Sequence, residues 1–95
     1  MDKMTKYSVV VTKTAQLHFK ILKIKHQNML EKVKLLVDGI LLEPRTGMGK
    51  PERLRYYNQR EIWSRRIDRK NRIVYEIHKD EIIILSVFGH YSDDK

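Results

Sequence analysis

An α+β fold is predicted for these 95 residues, with two N-terminal helices packed on a mostly antiparallel sheet in the order β-α-α-β-β-β. Apolar residues recur at helical spacing from Ala15 to Ile40. Past Pro51 the apolar period shortens to two, the signature of strands. Arg45 to Pro51, with Gly47 and Gly49, reads as the loop between these two regimes. No repeat, linker or low-complexity stretch divides the chain, so one domain covering 1–95 is expected.

Tyr7-Ser8-Val9-Val10-Val11 is short and β-branched and opens the sheet. Thr12 or Thr14 suits the cap of the first helix, because a hydroxyl there accepts a bond from an unpaired helix-start amide. Ala15, Phe19 and Leu22 form one helical row, and Leu17, Ile21 and Ile24 a neighbouring one, giving a broad apolar stripe. His26-Gln27-Asn28 interrupts it, with Asn28 as the cap of a second helix that carries Met29, Val33, Leu36, Val37 and Ile40. Glu43-Pro44 ends that helix, since the residue before proline is driven out of the helical region.

In the next strand Trp63, Arg65 and Ile67 point one way and Ser64, Arg66 and Asp68 the other. Asp68-Arg69-Lys70-Asn71 is a polar turn. Arg72, Val74, Glu76 and His78 then alternate with Ile73, Tyr75 and Ile77, and in a hairpin Arg72 comes close to Arg66. After the Lys79-Asp80 turn, Glu81 to Phe88 is almost wholly apolar, as in a strand buried on both faces.

Hydrophobic content of 41% with 34% charged residues is that of a globular protein. The absence of cysteine excludes disulfides and thiolate metal sites. Val9-Val10-Val11 is too short for a signal-peptide core or a membrane span, so a cytoplasmic protein is expected. The net charge is +8. Ten Lys or Arg against Glu52, Glu61 and Asp68 between Arg45 and Arg72 account for seven of it. Seven of the eight cations from Arg53 to Arg72 are arginine, which forks onto phosphate or carboxylate. Nucleic acid is the first partner to consider; an acidic protein, or a merely solvated basic face, is the alternative.

His18 and His26 lie among lysines in or beside the first helix and read as surface or packing residues. His78 sits at a turn. His90 follows an apolar strand and a glycine, with Tyr91 next, and is the histidine placed for chemistry or else simply the end of a strand. No histidines or carboxylates have metal-ligand spacing, so neither a metal nor another cofactor is expected. Glu52, among Lys50, Arg53 and Arg55, is the carboxylate of interest; a surface ion pair is its bland reading. Arg65 reads as a solvated or phosphate-positioning cation, and Trp63 as core rather than a stacking platform. A carboxylate, fixed arginines and a histidine suffice to cleave RNA without a metal. One group takes the 2′-hydroxyl proton, cations stabilise the charged phosphorane, and an acid protonates the departing 5′-oxygen.

The ordered set Gly49-Lys50-Pro51-Glu52-Arg53-Leu54, Trp63-Ser64-Arg65-Arg66-Ile67, Asn71-Arg72-Ile73-Val74-Tyr75 and His90-Tyr91 resembles the YoeB/Txe branch of the RelE superfamily of toxins. The resemblance spans about Tyr7 to Tyr91 and implies a compact RelE-like fold. It implies a ribosome-dependent messenger-RNA endonuclease, the toxin of a type II toxin–antitoxin pair, which cuts the codon in the ribosomal A site and leaves a 2′,3′-cyclic phosphate. By the same resemblance Glu52 is the general base, His90 the general acid, Arg72 the arginine on the scissile phosphate and Tyr91 a shaper of the site. Lys50, Arg55 and Arg66 are the further phosphate-binding residues, with Arg55 standing where a lysine is common. The implied partners are the ribosome with A-site mRNA, a YefM/Axe-like antitoxin, a second copy in a homodimer, and operator DNA bound only by the toxin–antitoxin complex. One departure is a strongly basic first helix (Lys13, Lys20, Lys23, Lys25) where relatives are often acidic. Two other functions suit the same scaffold: a non-catalytic toxin that binds a protein target such as gyrase, and a basic RNA-binding domain.

Overall fold

A computed structural model describes residues 7–55, 57 and 59–88. Strand β1 (Ser8–Val11) leads into helices α1 (Lys13–Lys25) and α2 (Gln27–Leu42), followed by strands β2 (Glu52–Arg53), β3 (Glu61–Arg66), β4 (Arg72–His78) and β5 (Glu81–Ser86). The five strands form one sheet in the order β1-β5-β4-β3-β2. β1 runs parallel to β5, and every other pair is antiparallel. The expected architecture therefore stands, with one addition. β2 is a two-residue strand at the far edge, too short to show a period, and it contains Glu52.

Thr12, not Thr14, caps α1: its hydroxyl accepts from the Ala15 amide at 3.1 Å. α2 begins one residue before the expected cap. His26 occupies the cap position without a side-chain bond to the helix, and Asn28 is already helical. Glu43 ends α2 as expected, its amide closing onto the Gly39 carbonyl at 2.8 Å. Ala15 and Leu22 from α1 and Val33, Leu36 and Ile40 from α2 pack on Ile73, Tyr75, Ile77, Ile82 and Ile84 of the sheet. Leu17 and Ile24 do not join them. They are 56% and 71% exposed, so the buried stripe of α1 is narrower than its apolar content suggests. β5 likewise alternates between buried Ile82 and Ile84 and half-buried Ile83 and Leu85 rather than being buried throughout. Its opposite-face residue Leu85 packs with Leu54, Ile62 and Val74 in a second, smaller cluster.

Arg65 overturns its sequence reading as a solvated or phosphate-positioning cation. Its alternation with Trp63 and Ile67 turns it toward the helices, and it is fully buried. Nε donates to the Tyr75 hydroxyl at 3.1 Å and Nη1 to the Met48 carbonyl at 3.1 Å. Nη2 donates to the carbonyls of Glu43 at 2.6 Å and Thr46 at 2.8 Å. Four of the five guanidinium donors are thus spent inside the protein. The charge also lies near the C-terminus of α2, whose last turn has no basic residue of its own. Tyr75 in turn donates its hydroxyl to the Pro44 carbonyl at 2.6 Å. Residues 43–48 are therefore wrapped around one side chain.

The loop then returns to the sheet, where the Arg66 amide donates to the Gly49 carbonyl at 2.6 Å. Gly49 has φ +87°, and a Cβ there would sit 2.9 Å from Leu36 Cδ2 and 3.1 Å from the Arg66 carbonyl oxygen. Only glycine fits both the conformation and the space. Arg65→Met would leave three loop carbonyls and the Tyr75 hydroxyl without their donor. We expect it to lower unfolding free energy by about 3 kcal/mol or more. Urea denaturation checks this, and a midpoint equal to wild type would refute the role.

Candidate active site

Side chains directly opposite one another across a sheet share a face. Register places Glu52 opposite Ser64, Ser64 opposite Val74 and Val74 opposite Ser86, a row across four strands. The helices cover the other face, so this row lies on the open one. Arg66 and Arg72 are direct partners one step along the same face. Arg72 reaches back diagonally, and its Nη1 donates to Ser64 Oγ at 3.3 Å and lies 3.8 Å from Glu52 Oε1. The Glu52 side chain remains more than half exposed, while that of Arg72 is mostly covered. A guanidinium seated on a buried hydroxyl thus stands beside a carboxylate open to solvent, a geometry suited to holding an anion next to a base.

Of the sequence-predicted site residues, Glu52 and Arg72 meet, and Arg66 stands next to Arg72 in register. Lys50 precedes β2 as an exposed residue with φ +53°. Arg55 is exposed and lines a shallow depression with Arg53, Leu54 and Tyr57. No contact ties either to Glu52. His90 and Tyr91 lie outside the described residues.

Ser64, which bonds Arg72, was not among the predicted site residues, although the alternation that put it on the face of Arg66 was its signal. The basic stretch is also less free than its composition suggests. Arg45 forks onto Glu61 at 2.7 and 2.9 Å, a hydrogen-bonded pair that holds the Glu61 carboxyl below the usual range. Arg60 donates to Glu76 at 2.8 Å, and Arg65 is internal. Among the described residues no three His, Cys, Asp or Glu converge as metal ligands, and no helix is long and apolar enough to cross a membrane.

The last described residues, up to Phe88, are tied to β4 and α1. Between Val74 and Tyr75 the partner on β5 jumps from Ser86 to Ile84, leaving Leu85 as the extra residue of a bulge. Thr12 holds this point: its hydroxyl donates to the carbonyls of Ile84 at 3.0 Å and Leu85 at 3.2 Å. Val87 returns to the core, and its amide donates to His18 Nδ1 at 3.3 Å. The Phe88 ring centroid lies 5.8 Å from that of His18 and 5.8 Å from that of His26. The packing role read for these histidines is therefore a specific one, for they hold the last residues before Gly89-His90.

Burial holds the His18 imidazole below its free value of 6.5. An unfolded chain takes up that proton first, so this contribution to stability is present above the free value and is lost as pH falls towards the folded pKa. Nδ1 must also stay unprotonated to accept the Val87 amide. Between about pH 7.5 and 5.5, wild type should lose more unfolding free energy than His18→Asn, which keeps an acceptor but cannot titrate. Equal losses in paired denaturation curves would refute this.

The model of the YoeB-like toxins of bacterial type II toxin–antitoxin systems matches residues 11–91. A toxin YoeB of a Synechocystis species is 38% identical over 65 residues, 68% of this chain and 74% of that protein. The YoeB dimer of Staphylococcus aureus superposes with a TM-score of 0.81 at 29% identity, covering 90% of this chain and 99% of the other. The toxin in a heterotetrameric YoeB–YefM toxin–antitoxin complex from the same organism gives 0.77 at 28% identity, covering 90% and 98%.

Proposed function

Because the chain belongs to the YoeB-like toxins of bacterial type II toxin–antitoxin systems, we propose that it is a ribosome-dependent messenger-RNA endonuclease and inhibits translation by cutting A-site codons. The observation that carries this reading is the Glu52–Arg72 pair on the open face, 3.8 Å apart and backed by Ser64. Glu52 takes the proton from the 2′-hydroxyl, and the freed oxygen attacks the adjacent phosphorus. Arg72 holds the non-bridging oxygens as negative charge grows. The bond from phosphorus to the 5′-oxygen breaks as His90 donates its proton to that oxygen. The products are a 2′,3′-cyclic phosphate and a free 5′-hydroxyl, and the need for a 2′-hydroxyl excludes DNA.

Arg66, Lys50 and Arg55 bind flanking phosphates, and Tyr91 shapes the site around the acid. The whole activity resides in one domain and operates in the cytoplasm, where the ribosome presents the codon. A YefM-like antitoxin neutralises the chain, the complex of the two binds operator DNA, and the free toxin self-associates. A protein-target inhibitor has no use for a carboxylate beside a fixed guanidinium on the open face, so the gyrase-type reading is disfavoured.

Primer extension on a defined mRNA in a reconstituted translation system tests the activity. Wild type should give discrete cuts within the A-site codon, and Glu52→Gln or His90→Gln should lower cleavage by about 10²–10⁴-fold. Intact mRNA with stalled translation would refute cleavage. Ser64→Ala should cost about tenfold in wild type but nothing further in an Arg72→Ala background, because coupled residues are not additive. Additive losses would deny that Ser64 acts through Arg72.

A further inference from the structure

Arg45 and Arg60 are bonded to carboxylates and Arg65 to the loop, but Arg53 and Arg55 form no ion pair among the described residues. The charge of Arg53 reaches the Glu61 carboxyl only at longer range. These two arginines, with Leu54 and Tyr57, line a depression of about 400 Å³. Ligand sites span roughly 300–1,000 Å³, so this one has room for a small, flat group. Leu54 is buried and forms its base, whereas Tyr57 is 40% exposed and both arginines are exposed. An apolar base, an accessible ring and two guanidiniums free of carboxylates suit a nucleotide: the ring stacks a base and the guanidiniums hold a phosphate.

Register ties this depression to the Glu52–Arg72 pair. The Leu54 amide donates to the Ile62 carbonyl at 2.8 Å, and Ile62 stands opposite Glu76. Leu54, Ile62 and Glu76 therefore form the next row on the open face, two residues along from Glu52, Ser64 and Val74. Two residues of strand span about 7 Å, a step that one nucleotide of an extended single strand covers. The ring is also carried on a fastened turn. The Arg60 amide donates to the Tyr57 carbonyl at 3.1 Å, and the Arg60 guanidinium donates to Glu76, in that same row, at 2.8 Å. A site held in place before its ligand arrives loses less entropy on binding.

We infer that this depression is a subsite for the nucleotide next to the scissile phosphate, with its base stacked on Tyr57 and its phosphate held by Arg53 and Arg55. The inference rests on the nuclease reading and deepens it, adding to Arg55 a second cation and a direct contact with a base. An acidic peptide would also satisfy the guanidiniums, but it would leave the ring, and its place one row from Glu52, without a use. Every base has a π-face, so the subsite grips RNA of any sequence rather than selecting one.

The test uses ribosomal complexes whose A site holds a defined codon. Single-turnover cleavage is followed against protein concentration on intact mRNA and on two mRNAs with an abasic nucleotide on one or the other side of the cut. For wild type, one abasic template should raise the half-maximal concentration about tenfold. Tyr57→Ala should raise it about tenfold on intact mRNA, with the maximal rate unchanged, and no further on that abasic template, because ring and base share one contact. Tyr57→Phe keeps the ring and should match wild type. Arg53→Gln should weaken binding and make it less steeply dependent on salt. Circular dichroism confirms that these exposed substitutions leave the fold intact. A parallel binding series uses fluorescently labelled protein and 2′-O-methyl mRNA, in which the attacking oxygen is blocked. A wild type that binds but never cuts, with Tyr57→Ala weaker on intact than on abasic mRNA relative to it, overturns the nuclease reading and leaves the subsite standing. A wild type that cuts, with Tyr57→Ala cutting at the same half-maximal concentration, overturns the subsite and leaves the nuclease standing. Equal losses for Tyr57→Ala on intact and abasic templates overturn the stacking, as does a lowered maximal rate at unchanged half-maximal concentration. A wild type that binds none of the templates overturns both readings.

Discussion

A buried positive charge that has no carboxylate partner among the described residues organises this fold. Arg65 donates to three backbone carbonyls of residues 43–48 and to the Tyr75 phenol, and so ties the end of α2 and the turn that follows to the sheet. The end of α2, the turn after Pro44 and the approach to Gly49 are all fixed by the same guanidinium. Its ring contact with Tyr75, 5.9 Å from charge to centroid, fastens that assembly to the middle of β4. Removing a buried cation's partners, or the cation from its partners, is costly in either direction. These bonds tie the loop to the sheet immediately before β2.

That constraint is what gives Glu52 its position. A two-residue strand has little stability of its own, and β2 is held at one end by the Arg65-centred loop and along its length by β3. Once it is docked, register does the rest, for the carboxylate, the Ser64 hydroxyl and the Arg72 guanidinium are neighbours across consecutive strands. On the far side of the sheet Thr12 performs a comparable task with one hydroxyl, which accepts from the start of α1 and donates to the bulge of β5. The bulge turns Val87 back into the core.

Much of this was legible in the residues. The helical rows ending in Leu22 and Ile40, the stop at Glu43-Pro44 and the alternating strands β3 and β4 follow from periodicity and from the backbone limits of proline. The facing of Arg66 and Arg72 follows from a short polar turn in a hairpin. What was not legible has physical reasons. β2 is shorter than any period. The alternation already turned Arg65 inward with Trp63 and Ile67, but the acceptors that make burial tolerable are carbonyls of a distant loop, which no side-chain pattern reveals. Leu17 and Ile24 satisfy helical spacing and still face solvent, because a 13-residue helix crossing a narrow sheet covers only part of its circumference. The basic stretch between Arg45 and Arg72 looked like one patch, yet Glu61 and Glu76 draw Arg45 and Arg60 away from it. Glu52 and Arg72, both singled out as candidates, stand together on the open face, and Ser64 between them was visible only as a face assignment.

The parallel pairing of β1 with β5 has a consequence for the order of events during synthesis. Among the described residues β1 has no sheet neighbour except β5, and Thr12 bonds to carbonyls more than seventy positions later in the chain. While the ribosome is still making the middle of the protein, β1 and both helices have no sheet to cover. Leu22, Val33, Leu36 and Ile40 then have only one another for company. Contacts of such long sequence separation form late and slowly. The row from Glu52 to Ser86 cannot exist until β5 has left the exit tunnel. A nascent chain therefore carries the residues of its site well before it carries the site.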